Sequence, residues 1–260
     1  MDIKIDRYAK DAINEFLQYS CVFLASGSEG DVATEVGSGV VIKTKRGRFV
    51  ILTAGHIVKE LKREEYRLGF YKCPDGISEF AAGYIFNEGD VDVGVVVVRD
   101  RYSSLLDKIS ISEESIPLEP VEITTDDILV LNGFPAKIVR DYENKRVQGF
   151  RMLSYWCCPE SIRYDKKGRY CLEWQDAVQW HEDSAFDLPS PVGMSGGPLW
   201  CFRRPKVNSI WTPRGIGQII GVQSAWNEKD ATYIESVNKW SGWLQDSLQS
   251  VDNASEDVLI

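Results

Sequence analysis

The 260-residue sequence contains two histidines, and one of them, His56, lies in a setting suited to chemistry. It ends the segment Thr53-Ala54-Gly55-His56, directly after an apolar stretch. The segment Gly193-Met194-Ser195-Gly196-Gly197-Pro198 places a serine among glycines, which allow unusual backbone angles and a close approach to a ligand. Between these segments, Asp92 opens the apolar run Val93–Val98, where a buried acid is costly unless it has a partner.

These residue types are the components of nucleophilic acyl transfer. That reaction needs a nucleophile, a base that takes its proton and a carboxylate that orients the base. We therefore predict that Ser195 is the nucleophile, His56 the base and Asp92 the orienting acid. Asp90 is the alternative acid, since it lies two residues earlier and on the same side of an extended strand. We favour Asp92 because it directly precedes the apolar run.

The elements that must position these residues are mostly short strands, with a helix near each end. Apolar residues from Ile5 to Leu17 recur at spacings of three and four, and Val237, Trp240, Leu244 and Leu248 share a second helical face. Short β-branched segments bounded by Gly, Pro, Asn or Asp predict strands. The predicted strands are Ser20–Ser26, Gly39–Lys43, Phe49–Thr53, Phe80–Phe86, Val91–Val98, Ile128–Leu131, Phe150–Trp156, Tyr170–Trp180, Leu199–Phe202 and Gly217–Trp226. The pattern indicates a sandwich or barrels, and the polar stretch Leu105–Thr125 predicts a linker between two β units.

Composition excludes several classes of protein. The 8 Trp, 11 Tyr and 10 Phe argue against a disordered chain, and the net charge of −9 lacks the basic footprint of a nucleic-acid binder. No run approaches the roughly 18 apolar residues of a membrane span, and the N-terminal segment lacks the features of a signal peptide. We therefore expect a cytoplasmic protein, and its six cysteines are expected to be free thiols.

The three segments together resemble the signatures of the trypsin-like serine proteases. Gly37-Ser38-Gly39-Val40, Gly217–Ala225 and the C-terminal helix resemble further parts of bacterial members of that family. The resemblance implies an all-β fold of two six-stranded antiparallel β-barrels (chymotrypsin-like), with the site in the cleft between them. It divides the chain into an N-terminal amphipathic helix (1–19), a first barrel with the histidine and aspartate (20–115), a second barrel with the serine (116–235), and a C-terminal helix with a tail (236–260).

The same resemblance implies a serine endopeptidase that acts on protein or peptide substrates and needs no cofactor or metal. The N–H groups of Gly193 and Ser195 would form an oxyanion hole. Substrate-binding residues would be Ser190 and Val192 before the serine, and Gln223, Ser224, Ala225 and Trp226 along a strand that pairs with the substrate backbone. Pro189 stands where trypsins that cut after Lys or Arg carry an acid, which favours a small or apolar side chain before the cut, although Asp187 lies nearby.

The sequence departs from the secreted members of that family at the position before the serine. Secreted trypsins carry there an aspartate that pairs with a new N-terminus created by cleavage, whereas this chain has Met194. The Ile-Val-Gly-Gly start that supplies such a terminus is absent as well. We therefore expect a regulated intracellular protease that is competent without N-terminal cleavage, and an activating or regulatory protein partner is a further expectation.

Other functions remain as alternatives. The segment around Ser195 also fits the nucleophile elbow of α/β-hydrolases, but no histidine follows it, as that fold requires. A cysteine protease is weakened because no cysteine lies in a nucleophile-like turn. Cys157, Cys158, Cys171 and His181 match no standard zinc-ligand spacing. The main alternative is a catalytically silent or partner-switched binding module on the same fold.

Overall fold

The computed structural model of the chain describes residues 7–26, 36–63, 66–70, 73–77, 79–87, 89–135, 152–174, 178–179, 190–203, 212–227 and 231–254. Two β-sheets dominate these ranges. Their strands are β1 (Val22–Ser26), β2 (Val36–Lys43), β3 (Phe49–Thr53), β4 (Tyr66–Phe70), β5 (Cys73–Ile77), β6 (Ala81–Phe86), β7 (Gly94–Val98), β8 (Ile111–Ser112), β9 (Ile128–Gly133), β10 (Leu153–Cys157), β11 (Ile162–Tyr164), β12 (Tyr170–Glu173), β13 (Val178–Gln179), β14 (Pro198–Phe202), β15 (Gly217–Asn227) and β16 (Ala231–Ser236). The α-helices are α1 (Arg7–Ser20), α2 (Gly55–Leu61), α3 (Ser103–Leu106), α4 (Pro213–Ile216) and α5 (Ser241–Asn253).

The first sheet has the strand order β5-β4-β1-β2-β3-β7-β6. Neighbours along this path are antiparallel, and the short strand β8 pairs in parallel with β2. The pairing of β3 with β7 sets Thr53 opposite Gly94. The chain segments that leave β3 and enter β7 therefore lie at the same end of the sheet, and these are the segments that carry His56 and Asp92.

The second sheet has the strand order β11-β12-β16-β15-β14-β9-β10-β13, and its neighbours are antiparallel. Its central strands β14 and β9 are buried along their whole length because both faces are covered. Strand β15 is interrupted by two register shifts, one of which lies between Gln223 and Ala225. Ser195 lies in the loop that leads directly into β14.

The predicted fold class is confirmed, because the chain forms two curled antiparallel sheets. In chain order they are preceded by the helix α1 and followed by the helix α5. The sheets also contain very short strands, β8, β11 and β13, so each sheet has eight strands in the described part of the chain. The predicted strand Tyr170–Trp180 divides into β12 and β13. The polar stretch 105–125 contains β8, which pairs with the first sheet. The sheets span residues 22–112 and 128–236, while the domain limits at 19, 115 and 235 stay a prediction.

One apolar core joins the two sheets and both terminal helices. Helix α1 packs Ile13 and Leu17 into it, and both side chains are fully buried. Phe16 lies edge-on to the rings of Trp200 and Phe202, with centroids 5.1 and 6.1 Å away. Helix α1 is therefore part of the packing of the second sheet.

Helix α5 connects the second sheet to the first. Its buried residues Leu244, Leu248 and Val251 face the core, as the sequence pattern predicts. At its C-terminal end, Arg48 on the β2–β3 hairpin donates to the carbonyls of Val251 and Ala254, both at 2.8 Å. Cations near a helix C-terminus are favourable, since the last carbonyls lack partners within the helix. None of the helices in the described ranges has the length and apolar character that a membrane crossing requires.

Replacement of Leu17 by alanine is expected to lower the free energy of unfolding by about 2–5 kcal/mol, because it leaves a cavity in the shared core. Tyr8→Ala is the matched control on the same helix, since Tyr8 is 82% exposed. A surface change of that kind is expected to cost less than about 0.5 kcal/mol. Urea unfolding curves measure both, and an equal loss in the two variants would show that α1 does not pack on the core.

Candidate active site

His56 and Asp92 are joined by two hydrogen bonds. His56 lies in the first turn of α2, and its N–H donates to Asp92 Oδ1 at 2.8 Å. The imidazole Nδ1 lies 2.6 Å from Asp92 Oδ2. Gly55 permits this approach, because a Cβ there would lie 3.0 Å from Asp92 Oδ1. The acid that contacts the histidine is therefore Asp92, which the sequence favours. The alternative acid, Asp90, is exposed.

In this pair the pKa of His56 is raised and the pKa of Asp92 is lowered. Burial alone would lower the pKa of His56, but the hydrogen bond and negative charge of Asp92 outweigh it and raise that pKa above 6.5. Burial alone would raise the pKa of Asp92, but the hydrogen bonds and positive charge of His56 hold it below 3.8. Asp92 is therefore ionised at neutral pH and stabilises the protonated imidazole.

The glycine-rich segment around Ser195 forms two consecutive hydrogen-bonded turns. In turn 191–194 the last N–H donates to the first carbonyl at 3.0 Å, and in turn 194–197 the distance is 2.7 Å. The third residue of each turn is a glycine with positive φ, 92° at Gly193 and 90° at Gly196. This is the geometry of a type II turn, and glycine is favoured there because a side chain would be strained. Ser195 is the second residue of the second turn.

Ser38, on β2, joins the serine segment to the first sheet by hydrogen bonds. Its N–H donates to Ser195 O at 2.7 Å, and its hydroxyl donates to Gly193 O at 3.1 Å. The same hydroxyl accepts from the N–H of Phe134 at 2.9 Å, and Thr53 Oγ1 donates to Ser38 O at 2.6 Å. Ser38 is fully buried, so each of these bonds replaces one to water. The sequence marks Gly37–Val40 by its family resemblance, but no pattern there predicts that Ser38 binds the serine segment.

Contact at Gly196 brings the serine segment against the histidine segment. A Cβ on Gly196 would overlap Thr53 Oγ1 and Ser38 O and would lie 3.0 Å from Ala54 N. Ala54 precedes α2 by one residue and His56 by two. Ser195, next to Gly196, is thereby placed beside the first turn of α2. In the described residues, the hydrogen bonds of the His56 imidazole and backbone N–H are with Asp92, and none joins His56 to Ser195.

The N–H groups of Gly193 and Ser195 donate to no other residue in the described part of the chain. Both belong to the double turn, one in each half. In a type I turn the third residue has a φ near −90°, and its N–H points in the opposite direction. The φ of 92° at Gly193 therefore turns its N–H away from the direction that it has in a type I turn.

Strand β15 borders the same segment. The Gly196 N–H donates to Gln223 O at 2.7 Å, and the Gln223 N–H donates to Gly197 O at 2.9 Å. Gln223 and Ser224 are buried, whereas Ala225 and Trp226 are half-buried. Gln223 therefore binds the serine segment to the second sheet, whereas Ser38 binds it to the first.

Of the residues predicted before the serine, Val192 is 52% exposed at the first turn, and Ser190 Oγ accepts from its N–H at 3.4 Å. Asp187, Pro189 and His181 lie outside the described residues.

The buried cysteines are poorly suited to act as nucleophiles. Burial raises the pKa of Cys21, Cys157 and Cys201 to about 12, so the reactive thiolate form is scarce at neutral pH. Within the described ranges, no group of three or more His, Cys, Asp or Glu side chains is arranged to hold a metal ion. The arrangement of His56, Asp92 and Ser195 is thus the strongest candidate for chemistry.

No family model matches the chain, and no curated protein matches it by sequence. Among solved structures, the serine endoprotease from Yersinia pestis superposes with a TM-score of 0.54 at 12% identity, over 95% of this chain and 68% of that one. The Rv3671c protease of M. tuberculosis gives 0.51 in its inactive form and 0.50 in its active form. Both matches are 16% identical and cover 93% of this chain, with 95% and 86% of the other chain. The chain therefore has the chymotrypsin-like double-barrel fold, and its structural neighbours are serine proteases.

Replacement of Asp92 by asparagine is expected to lower the pKa of His56, because the variant loses the charge that outweighs burial. NMR titration of the imidazole C–H signals measures this, and the spectrum of a His56→Gln variant assigns them. Asp90→Asn is the matched control, two residues away and exposed. If the pKa of His56 falls in Asp90→Asn and does not fall in Asp92→Asn, the orienting acid is Asp90.

Proposed function

We propose that this protein is a serine endopeptidase that hydrolyses peptide bonds through His56, Asp92 and Ser195. The observation that carries the proposal is the doubly hydrogen-bonded His56–Asp92 pair. The close approach of Gly196 to Thr53 and Ala54 supports Ser195 as the nucleophile that acts with this pair. The likeness to serine proteases supports the fold on which this reaction would run. The trypsin-like type and a cytoplasmic location belong to the same proposal.

The hydrogen bond at Nδ1 decides which nitrogen of His56 acts as the base. Asp92 Oδ2 accepts a hydrogen bond from Nδ1–H, so the lone pair of neutral His56 lies on Nε2. Ser195 Oγ attacks the substrate carbonyl carbon, and Nε2 takes the hydroxyl proton. The C–N bond then breaks, and the same proton passes to the leaving amine. A water molecule repeats the sequence on the acyl-enzyme and releases the acid, which restores the Ser195 hydroxyl.

The N–H groups of Gly193 and Ser195 would stabilise the oxygen that becomes negative in this reaction. Both lack acceptors in the described residues, and the type II turn gives the Gly193 N–H the direction opposite to that in a type I turn. In comparable sites one such donor contributes about 3 kcal/mol to the barrier reduction. The two donors would be held in place before substrate binds, because Ser38 on β2 and Gln223 on β15 both form hydrogen bonds with the loop.

The loop geometry also supports competence without N-terminal cleavage. Met194 is fully buried, and its Cβ and Cε lie 3.1 Å from where a Cβ on Gly133 would be. An apolar side chain thus fills the space beside the double turn, and the hydrogen bonds that hold the turn come from Ser38 and Gln223. None of these contacts depends on a newly created amino terminus.

Substrate recognition and regulation complete the proposal. Ser224, Ala225 and Trp226 would pair with the substrate backbone along β15, while Ser190 and Val192 would border the pocket for the side chain before the cut. Regulation by a protein partner stays a prediction from the sequence. A catalytically silent binding module is the alternative that the next experiment tests.

A fluorophosphonate probe is expected to label the purified full chain in reducing buffer without any cleavage. Ser195→Ala is expected to abolish labelling and to lower kcat on a peptide substrate by about 10⁴-fold or more, because the nucleophile is lost. Ser250→Ala, on the exposed face of α5, is the matched control and is expected to label normally. A folded chain that is never labelled would instead favour the binding module, and labelling that persists in Ser195→Ala would place the nucleophile elsewhere.

Replacement of Gly193 by alanine is expected to lower kcat by about 100-fold, because a side chain at positive φ displaces the oxyanion donor. Gly47→Ala is the matched control, since Gly47 has a φ of 84° in the β2–β3 hairpin, and the nearest atom to an added Cβ is 4.0 Å away. Both variants carry a similar backbone cost of about 1–2 kcal/mol. Thermal unfolding measures that cost, and equal kcat losses in the two variants would contradict the role of Gly193.

A further inference from the structure

Lys59 lies on α2 one turn after His56, on the same face of the helix. Both residues belong to the helix Gly55–Leu61. Side chains three residues apart on a helix are neighbours, with about 5–6 Å between their Cβ atoms. The His56 side chain is 39% exposed and Lys59 is exposed as well. The ammonium group of Lys59 can therefore reach a molecule that is bound against the imidazole.

The charge of Lys59 is not neutralised by an ion pair. In the described part of the chain, none of the salt bridges involves Lys59. Its Nζ lies 5.5 Å from the centroid of the Phe86 ring, which is within the range of a cation–π contact. Phe86 is the last residue of β6 and pairs with Gly94, at the end of the first sheet that carries the candidate site. This contact orients the ammonium group and leaves its charge available to a ligand.

The charge of Lys59 also acts on both members of the His56–Asp92 pair. Burial and Asp92 have the largest effects on the pKa of His56, and the positive charge of Lys59 adds a lowering effect. Burial and the hydrogen bonds of His56 have the largest effects on the pKa of Asp92, and Lys59 adds a lowering effect there too. Both effects agree with the neighbouring positions that the helix gives to His56 and Lys59.

Glu60 is the other charged neighbour of His56 on this helix, at a spacing of four residues. Glu60 is half-buried, whereas Lys59 is exposed. Of these two charged side chains, Lys59 is therefore the one that a substrate bound against the imidazole can reach.

The proposed reaction places the residue after the scissile bond beside His56. The amine of that residue takes the proton from Nε2 as it leaves, so the two nitrogens must come within hydrogen-bond reach. His56 lies two residues beyond the segment that ends β3 of the first sheet, and Lys59 lies about 4.5 Å further along the helix axis. A side chain on the first or second residue after the cut is therefore expected within reach of Lys59.

The overall charge of the chain makes a local cation at this position informative. The net charge is −9, so the protein as a whole repels acidic peptides. A preference for an acidic side chain next to the cut would therefore require a nearby positive charge. Lys59 supplies that charge one helical turn from the base.

We propose that Lys59 is a specificity-determining residue that binds a Glu or Asp side chain on the first or second residue after the scissile bond. This inference rests on the proposed function and adds a substrate class to it, peptides with an acid directly after the cut. Exposed ion pairs are weak, so the expected preference for Glu over Gln at that position is about two- to fivefold in kcat/KM. Salt screens such a pair, so the preference is expected to fall as the ionic strength rises.

The preference is tested with two peptides that differ only in Glu or Gln after the cut. A peptide library digested by the full chain, with the cut sites read by mass spectrometry, supplies the parent sequence. The ratio of kcat/KM for the two peptides is expected to fall to about one in Lys59→Met and below one in Lys59→Glu, and to be retained in Lys59→Arg. Because both peptides meet the same variant, a change in the pKa of His56 cancels in this ratio.

Lys167→Met is the matched control, since Lys167 is an exposed lysine in the turn between β11 and β12 of the second sheet. It changes the net charge as much as Lys59→Met does, and it is expected to keep the wild-type ratio. A wild-type ratio of about one at both positions would overturn the proposal. An equal fall of the ratio in Lys59→Met and Lys167→Met would also overturn it, because net charge would then be the cause.

Failure of this inference differs from failure of the proposed function. A wild-type chain that no fluorophosphonate probe labels and that cuts no peptide would refute the proposed function. Recognition of an acid by Lys59 is then decided by NMR, with the His56 imidazole signals followed as the peptide acetyl-Ala-Ala-Glu-Glu-Ala-Ala-amide or its Gln analogue is added. Tighter binding of the Glu peptide that is lost in Lys59→Met would support recognition of the acid, and an equal response to both peptides would overturn it.

Discussion

The buried serine Ser38 is the point on which the arrangement of the site depends. It belongs to the first sheet, yet its N–H and hydroxyl bind carbonyls of the serine segment, and its hydroxyl also accepts from the chain that leaves β9. Loss of a partner would leave a buried group unsatisfied at a cost of about 1–3 kcal/mol for each group. Within the apolar core that joins the two sheets, Ser38 thus links the first sheet directly to the double turn. Because His56 follows β3 and Asp92 precedes β7, both strands of the first sheet, while Ser195 precedes β14 of the second, a contact between the two sheets is required before the three can cooperate.

Much of this arrangement was predictable, because the residues that form it are local in sequence. A type II turn requires positive φ at its third residue, as at Gly193 and Gly196, and glycine is the residue that adopts it without strain. The run Val93–Val98 predicts the buried strand β7, although the strand begins at Gly94 because the Val93 N–H is used in a turn with Val91 O. The faces of α1 and α5 follow from the 3.6-residue period.

The parts that were not predicted depend on pairing between distant strands. Strands β4 and β5 contain glycine and proline, which single-sequence reasoning takes as breaks, yet β4 forms a regular ladder with β1. Strand β16 lacks a continuous apolar run, and its place beside β15 is set by the neighbouring ladders. The bulge at Ser224 exists only in the register of that pair. For the same reason, no local pattern marks Ser38 as the residue that joins the sheets.

The His56–Asp92 pair stabilises the folded state most at a lower pH than the proposed reaction requires. The folded-state pKa of His56 is raised, so its contribution to stability is fully present below the unfolded value near 6.5 and is lost as the pH rises through the folded value. The folded-state pKa of Asp92 is lowered, so its contribution is present above the unfolded value near 3.8 and is lost as the pH falls through the folded value. Together the two shifts favour the folded state most between those limits, where His56 is protonated. The proposed chemistry needs neutral His56, so activity would rise over the pH range in which the stabilising charge pair is lost. The hydrogen bonds of Ser38 and Gln223 carry no titrating charge, and they keep the serine segment in place across that range.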